Sequence, residues 1–306
     1  MAPLLAFLRF GAPALLFAAV FWRLGPWRGL AGAAALYAAI VFFVWLFQER
    51  LIFLRPRRLR ASPADFSWPF AELRLIPAGA APGEFVHGWL LPPPAPDAPV
   101  VIYCHGIAHN VSHRLDVAAL YREAGCGVVM FDYRGFGQSA GRPSEAATVA
   151  DALAAWEHVV KDLAIPPSRV VIHGHSLGSG VAAWLAATVA PAATGTAAGT
   201  LPRLVLEAAF TDLPAVAQRV LPYVPARWLC RPQYRSREHL SRTRCPALFV
   251  HSPDDRLGPI AMGERLFAEY QGPKEFLHVA GSHDRALTAD AEHALPVLRR
   301  FCWAGR

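Results

Sequence analysis

The chain has 306 residues, of which 54% are hydrophobic and 17% are charged, so it can build one large apolar core and is neither disordered nor fibrous. The net charge of +7 comes almost wholly from arginine, a composition bias that gives no reason to expect nucleic-acid binding. The five cysteines are scattered without a Cys-x-x-Cys pair, which argues against a zinc knuckle or a disulfide framework.

The apolar residues are concentrated at the amino end, where residues 29–48 contain no charged side chain. A helix of this length can cross a hydrocarbon core ~30 Å thick, so we predict a membrane anchor within residues 1–60. A second apolar stretch, 3–22, is interrupted by Arg9 and Pro13 and is either a short first crossing or an interfacial segment. A cleaved signal peptide is the rival interpretation, but the apolar run continues past a short h-region and no convincing cleavage site follows.

Arginines flank the predicted anchor unequally. Five follow it and three precede it; they are Arg50, Arg55, Arg57, Arg58 and Arg60 on one side and Arg9, Arg23 and Arg28 on the other. Because positive residues stay preferentially in the cytoplasm, we expect the rest of the chain on the cytoplasmic side, with one span or with two. The cluster after the anchor could also lie against anionic headgroups, although a stop-transfer flank is the simpler explanation.

After about residue 62, short β-rich runs alternate with longer amphipathic stretches, a pattern typical of a mostly parallel sheet with crossover helices. Eight strands are predicted, at 72–76, 84–91, 99–104, 127–131, 169–173, 203–207, 247–251 and 275–279. Helices are predicted at 112–123, 144–161, 177–190, 260–270 and 285–300. The sequence therefore predicts an α/β domain over residues 61–306.

Residues 211–244 interrupt this alternation. Four prolines lie there among aromatic and basic residues, which is incompatible with a single helix. We predict a small cap inserted in the α/β domain, with an ordinary long surface connection as the alternative.

A serine lies where a predicted strand meets a predicted helix. The sequence Gly174-His175-Ser176-Leu177-Gly178 follows β-branched residues and precedes an alanine-rich stretch. Glycines on both sides permit the tight turn that lifts a serine hydroxyl clear of a sheet, and the start of a helix favours the anion formed in acyl transfer. This context favours a nucleophile over a merely structural glycine turn.

A serine hydroxyl needs a base to take its proton, and the base needs a group that orients it. Asp254 and Asp255 follow the predicted strand 247–251, and His283 follows the strand 275–279. Loops at the carboxyl ends of parallel strands converge, so these residues can meet Ser176. The residues themselves leave open which aspartate takes part.

Several segments resemble the α/β-hydrolase superfamily. They are the His-Gly region within 103–114, the Asp-Tyr-Arg-Gly-x-Gly-x-Ser loop at 132–139, the nucleophile turn at 174–178 and Gly281-Ser282-His283. Residues 48–53 are similar to the membrane-proximal segment of a membrane-anchored branch. The resemblance runs from about Leu73 to the carboxyl end and implies the α/β-hydrolase fold, with triad members in the order serine, acid, histidine.

The resemblance also implies roles for individual residues. Asp255 takes the acid position of a His-Gly-x-x-Asp pattern, although Ser252 replaces the usual glycine. The backbone amides of Ile107 and Leu177 correspond to the oxyanion hole. Asparagine is usual at position 107 and glycine at His109, but a backbone donor does not depend on its side chain.

Together these features predict a membrane-anchored serine hydrolase that cleaves carboxylic esters or thioesters of lipophilic acyl substrates. Its expected partners are the substrate and the lipid bilayer, with no nucleic acid. No glycine-rich nucleotide-binding sequence follows a strand, so no cofactor is expected. His105, His109 and His113 are spaced four apart but do not share a predicted helix, so no metal is expected.

Two other functions remain open. A serine peptidase on the same fold would need a group for the substrate's amino terminus, which Glu207 or Asp212 could provide. A catalytically silent membrane receptor or scaffold is the other alternative, and the complete set of triad residues argues against it.

Overall fold

The computed structural model describes residues 26–191 and 200–304. They divide into two compact units. One contains the described residues up to Ile52 together with Leu213–Gln233, and the other contains Phe53–Asp212 and Tyr234 onward.

In the first unit, helix α1 spans Pro26–Ile52 and contains the predicted anchor 29–48. Its 27 residues correspond to about 40 Å, longer than a hydrocarbon core of ~30 Å. Only 6% of its most apolar 18-residue stretch is buried, whereas the core helix of a soluble protein is mostly buried. Among the described residues it is the helix that is long and apolar enough to cross a membrane. The apolar stretch 3–22 lies outside the described residues.

The same unit contains two short helices, α5 (Leu213–Val220) and α6 (Ala226–Leu229), joined by a turn with a proline at each end. Residues 211–244 are thus as broken as their prolines indicate. Whether they form a cap remains a prediction.

The second unit is built on an eight-stranded sheet in the order β1-β2-β4-β3-β5-β6-β7-β8. The strands are β1 (Ala71–Leu75), β2 (Val86–Leu91), β3 (Val100–Cys104), β4 (Gly127–Phe131), β5 (Val170–His175), β6 (Arg203–Glu207), β7 (Ala247–His251) and β8 (Lys274–His278). Strand β2 pairs antiparallel with β1 and β4, and the remaining neighbours are parallel. This confirms the predicted mostly parallel α/β sheet, with strand bounds within two residues of the predicted ones.

Helices cover both faces of the sheet, which is why β3, β4, β5 and β7 are buried along their whole length. The helices of this unit are α2 (Leu115–Glu123), α3 (Glu145–Glu157), α4 (Leu177–Val189), α7 (Ser236–Ser241), α8 (Ile260–Glu269), α9 (Ala286–Ala289) and α10 (Ala291–Trp303). The crossover connections place the loops after β5, β7 and β8 at one edge of the sheet, because the carboxyl ends of parallel strands share an edge.

Two helix predictions need correction. The helix expected at 285–300 is divided into α9 and α10 at Asp290, whose carboxylate accepts a hydrogen bond from the Ala280 amide at 3.0 Å. The helix expected at 144–161 ends as a regular helix at Glu157 and continues as a π turn, His158–Asp162. Helical periodicity does not reveal either change of backbone hydrogen bonding.

Candidate active site

Ser176 occupies a strained turn between β5 and α4. Its φ of 52° and ψ of −121° cost about 1–3 kcal/mol for a residue with a Cβ. The Ser176 amide donates to the Glu207 carbonyl at 2.9 Å, which holds the turn against the neighbouring strand β6. The chain can adopt this tight turn because the residues at 174 and 178 are glycines.

The glycines at 174 and 178 are needed because backbone crowds both positions. A Cβ on Gly174 would lie 2.1 Å from the Gly178 carbonyl oxygen, and one on Gly178 would lie 2.0 Å from the Cys104 carbonyl oxygen. No side chain fits at such distances. The Gly-x-Ser-x-Gly spacing therefore brings α4 directly against β3 and β5.

A continuous chain of hydrogen bonds links the three residues expected to form the triad. The Ser176 hydroxyl donates to His283 Nε2 at 2.8 Å, and His283 Nδ1 donates to Asp255 Oδ2 at 2.6 Å. The second distance is typical of a charge-assisted bond. The structure thus brings together a hydroxyl, an imidazole and a carboxylate from the loops after β5, β7 and β8.

The Asp255 carboxylate is surrounded by hydrogen-bond donors that favour its ionised form. Its Oδ1 accepts from the amides of Leu257 and Gly258, both at 2.9 Å, and His251 Nε2 lies 3.4 Å from Oδ2. Burial alone would raise the pKa of Asp255, but the bonds from His251, His283 and the Gly258 amide hold it well below its usual range.

Asp254 lies in a different environment. Its side chain is exposed, and its amide donates to the Ser252 hydroxyl at 3.1 Å. The structure therefore places Asp255, and not Asp254, against His283.

Ser252, which replaces the family's usual glycine, links two loops of the site. Its hydroxyl donates to the Gly281 carbonyl at 2.6 Å while accepting the Asp254 amide. This joins the loop that carries the carboxylate to the loop that carries the histidine. The departure at position 252 adds a bond rather than disturbing the loop.

The buried Arg114 is hydrogen-bonded to the loop that carries His283. Arg114 donates to both the backbone carbonyl and the carboxylate of Asp284, the latter at 3.1 Å, and its guanidinium lies 3.4 Å from His175 Nδ1. Because the guanidinium can only donate, His175 Nδ1 is the acceptor and the ring proton is on Nε2, which donates to the His283 carbonyl at 3.0 Å. Burial, reinforced by Arg114, lowers the pKa of His175 to about 3, so this ring is neutral at physiological pH.

Arg114, His175 and Asp284 were not predicted as site residues. The only available signals were the position of His175 beside the serine and of Asp284 beside the histidine. Nothing in the sequence around Arg114 indicates that its guanidinium reaches residue 284.

The two expected oxyanion donors are Leu177, which follows Ser176, and Ile107, whose neighbour Gly106 lies beside Ser176. Leu177 is the first residue of α4, where backbone N–H groups have no acceptor within the helix. Ile107 follows Gly106, at which a Cβ would lie 3.4 Å from the Ser176 Cβ. The nearby loop is held by Asn110, which donates to the Pro56 carbonyl at 3.1 Å and caps a 3₁₀ turn through Ser112.

The three spaced histidines have separate surroundings. His105 is buried, with Nε2 3.4 Å from Asp132 Oδ1, whereas the rings of His109 and His113 stack with centroids 4.8 Å apart. Burial lowers the pKa of His105 to about 4 and raises that of Asp132 to about 7.

A different group within the described residues, His175, His283 and Asp284, has candidate ligand atoms within 4.8 Å of one another. Those side chains already have protein partners, Ser176, Asp255 and Arg114 among them.

Glu207 lies beneath the serine turn rather than facing a substrate. It is only 2% exposed, and its Oε2 lies 3.2 Å from His173 Nε2. Burial works against the carboxylate, but His175, His173 and Arg114 hold the pKa of Glu207 down, to about 2. This removes Glu207 as a group for a substrate's amino terminus.

Comparisons with known proteins agree with this architecture. Residues 99–231 match the family model described as alpha/beta hydrolase fold. An uncharacterized protein of Mycobacterium tuberculosis, Rv2307c, is 32% identical over 276 residues, covering 88% of this chain and 92% of that protein.

A second relative is a lysophosphatidylserine lipase, ABHD12 of Danio rerio, 33% identical over 184 residues. That match covers 55% of this chain and 46% of the lipase, so it spans about half of the relative. Among solved structures, the Pyrococcus furiosus esterase Pf2001 superposes with a TM-score of 0.63 at 16% identity, covering 81% of this chain and 95% of the esterase. The fold, the family model and the relatives agree: the chain belongs to the α/β-hydrolase superfamily.

Proposed function

We propose that this hydrolase is a serine hydrolase that cleaves carboxylic ester or thioester bonds through an acyl-enzyme. One observation carries the proposal: the hydrogen-bonded series from Ser176 through His283 to Asp255, at 2.8 and 2.6 Å. A nucleophile, a base and an orienting carboxylate in this order are what acyl transfer at a serine requires.

In the first half of the cycle, His283 Nε2 removes the proton from the Ser176 hydroxyl as its oxygen attacks the acyl carbonyl. The new negative charge falls on the former carbonyl oxygen, for which the Leu177 and Ile107 amides are the proposed donors. Asp255 keeps the Nδ1 proton of His283 in place and stabilises the imidazolium without taking its proton.

Collapse of this intermediate expels the alcohol or thiol, which takes the proton from His283, and leaves the acyl group on Ser176. A water molecule then attacks the acyl carbon, with His283 again accepting a proton. The acid is released and the serine hydroxyl is restored.

We further propose that the substrates are lipophilic and that α1 anchors the enzyme in a membrane with its catalytic domain on the cytoplasmic side. A helix about 40 Å long with an exposed apolar surface supports the anchor. Lipophilic esters concentrate in the bilayer beside such an anchor. The arginine excess after α1 supports the orientation.

A serine peptidase is the nearest alternative. Of the two carboxylates considered for binding an amino terminus, Glu207 is buried against His173, which leaves Asp212. Comparing esters with aminoacyl amides of the same acyl group separates the two activities, because a peptidase would retain substantial amide turnover.

The test is turnover of carboxylic esters and thioesters of graded acyl length by the full-length chain in detergent, with two serine variants. Ser176→Ala should abolish turnover. Ser179→Ala is the matched control, because Ser179 lies three residues further along in the first turn of α4, is fully buried, and its hydroxyl has no hydrogen-bond partner among the described residues. Equal turnover by wild type and Ser176→Ala would refute the proposal. Protease protection in sealed vesicles tests the orientation separately.

A further inference from the structure

The segment 213–233, called here the arginine segment because its charged residues are all arginines, is hydrogen-bonded to α1 at two levels. The Tyr37 hydroxyl donates to the Tyr223 carbonyl at 2.7 Å. Eleven residues further along, the Gln48 side chain accepts the Arg231 amide at 2.7 Å and donates to the Leu229 carbonyl at 3.3 Å. These two levels are about 16 Å apart along the helix, half the hydrocarbon thickness of a bilayer.

The bonds around Gln48 are reinforced at the carboxyl end of α1. The Arg231 guanidinium donates to the Trp45 carbonyl at 2.9 Å and lies 5.2 Å from the centroid of the Trp45 ring. Gln48, a polar residue on an apolar helix, is 6% exposed because the arginine segment covers it. If α1 enters a bilayer, the segment held to it must enter the same environment.

Many backbone polar groups of the arginine segment are hydrogen-bonded within the protein, as an apolar environment requires. Its turn contains two prolines, which have no N–H group to satisfy. Eight carbonyls of the turn and the residues after it accept hydrogen bonds from donors within the same unit; they are those of Leu221, Pro222, Tyr223, Val224, Pro225, Ala226, Leu229 and Cys230. Paired backbone groups are the condition for burying irregular chain at membrane depth.

The exposed side chains of the segment match a lipid interface. Leu221, Tyr223 and Trp228 are 38%, 55% and 86% exposed. The segment carries three arginines and no acidic residue. Aromatic rings beside an apolar helix and an excess of basic side chains are the features that bind anionic headgroups and the hydrocarbon beneath them.

We propose that the arginine segment is a membrane-embedded surface, with Leu221, Tyr223 and Trp228 in the hydrocarbon of one leaflet and the exposed Arg227 on anionic phospholipid headgroups. This rests on the proposed anchoring of α1 and extends it: the enzyme contacts the bilayer through a broad surface and not through a single helix.

The test places one environment-sensitive nitrobenzoxadiazole probe at a time on the full-length chain, reconstituted in phosphatidylcholine and phosphatidylglycerol vesicles. Cys230→Ser removes the partly exposed native thiol, and the other four cysteines are buried. The reporter is Trp228→Cys. Phe42→Cys on α1 reports the anchor, and Lys161→Cys, whose native side chain is 69% exposed, is the aqueous control. Nitroxide-labelled lipids serve as the quencher.

Blue-shifted emission and nitroxide quenching at positions 228 and 42, with water-like emission at 161, is the expected result. Water-like emission at 228 with quenching at 42 would overturn the embedded surface while leaving the anchor intact. Water-like emission at both would overturn the anchor as well. A blue shift at 228 without lipid quenching would mean that protein, such as a second copy of the chain, covers this surface.

The headgroup preference has its own readout. Nitroxide phosphatidylglycerol should quench the probe at 228 more than nitroxide phosphatidylcholine, and Arg227→Gln should reduce that preference by up to about fivefold, the equivalent of ~1 kcal/mol per basic residue at an anionic surface. Equal quenching by the two lipids before the substitution would contradict the anionic assignment.

Discussion

Replacing Asp255 by asparagine tests the proposed acid with almost no change of shape. In the folded protein, Oδ1 accepts two backbone amides at 2.9 Å while Oδ2 accepts the His283 Nδ1 proton at 2.6 Å. An asparagine keeps the two amide bonds only if its carbonyl oxygen takes the Oδ1 position. Its NH₂ group then faces His283, which must turn Nδ1 into an acceptor and move its proton to Nε2, so that His283 can no longer accept the Ser176 proton.

The opposite orientation of the amide restores the tautomer but sets NH₂ against two N–H donors. Losing two bonds of this kind costs about 1.5–3 kcal/mol each, or about 3–6 kcal/mol together. At ~1.4 kcal/mol per decade this lowers turnover by about a hundredfold to ten-thousandfold. We expect the upper end, because trapping the wrong tautomer costs ~10⁴ in other triads.

The assay is kcat/KM for a short soluble ester with Asp255→Asn beside Asp254→Asn. The second variant removes an exposed carboxylate one residue away and should change the rate less than about twofold, as for a surface substitution. Thermal unfolding of both variants checks that they are folded. Retention of more than a tenth of the activity by Asp255→Asn, or an equal loss in Asp254→Asn, would refute the reasoning.

Three further predictions concern residues around the site. Ser252→Ala should lower kcat about fivefold with little change in KM, because it removes one inter-loop bond worth about 1 kcal/mol. The pKa of His175 is about 3 in the folded protein and about 6.5 in the unfolded chain, so unfolding takes up a proton between these values and stability falls as the pH drops from 6.5 to 3. His175→Gln should reduce this loss of stability, whereas His293→Gln, which changes an exposed histidine, should not. Gly178→Ala should destabilise by more than about 3 kcal/mol, whereas Gly180→Ala, whose Cβ would meet the Tyr234 Cβ at 3.0 Å, should cost less than about 2 kcal/mol.

Each of these has a contrary outcome. A rise in KM at constant kcat for the serine variant would assign that hydroxyl to substrate binding. Unchanged acid denaturation in His175→Gln would show that the ring is not held neutral by burial. Equal unfolding free energies for the two glycine variants would mean that the contact between α4 and β3 can relax.

The sheet could be predicted because its central strands are buried on both faces, which makes each a short apolar run bounded by turn residues. The positions of Ser176 and His283 followed from the same logic, since loops at the carboxyl ends of parallel strands must converge. The residues alone left Asp254 and Asp255 open; the resemblance to the family's acid pattern selected Asp255, the residue whose carboxylate lies against His283 in the structure.

Two contacts between residues that are distant in sequence and outside the expected triad were not predicted. Arg114 reaches Asp284 across 170 positions, and Gln48 meets Arg231 across 183. No local periodicity encodes such pairs. The break at Asp290 was hidden for the same reason, because its partner amide lies ten residues back in a loop.

The central claim is that Ser176 becomes acylated, and mass spectrometry after reaction with a fluorophosphonate tests it most directly. The full-length chain should gain one phosphonyl adduct, mapped to the peptide that contains Ser176, and ester turnover should fall in proportion to labelling. Ser176→Ala should gain none, while Ser179→Ala should label like the wild type. Folded wild-type protein that stays unlabelled and turns over no ester, or an adduct on another residue, would contradict the account and favour a silent membrane receptor.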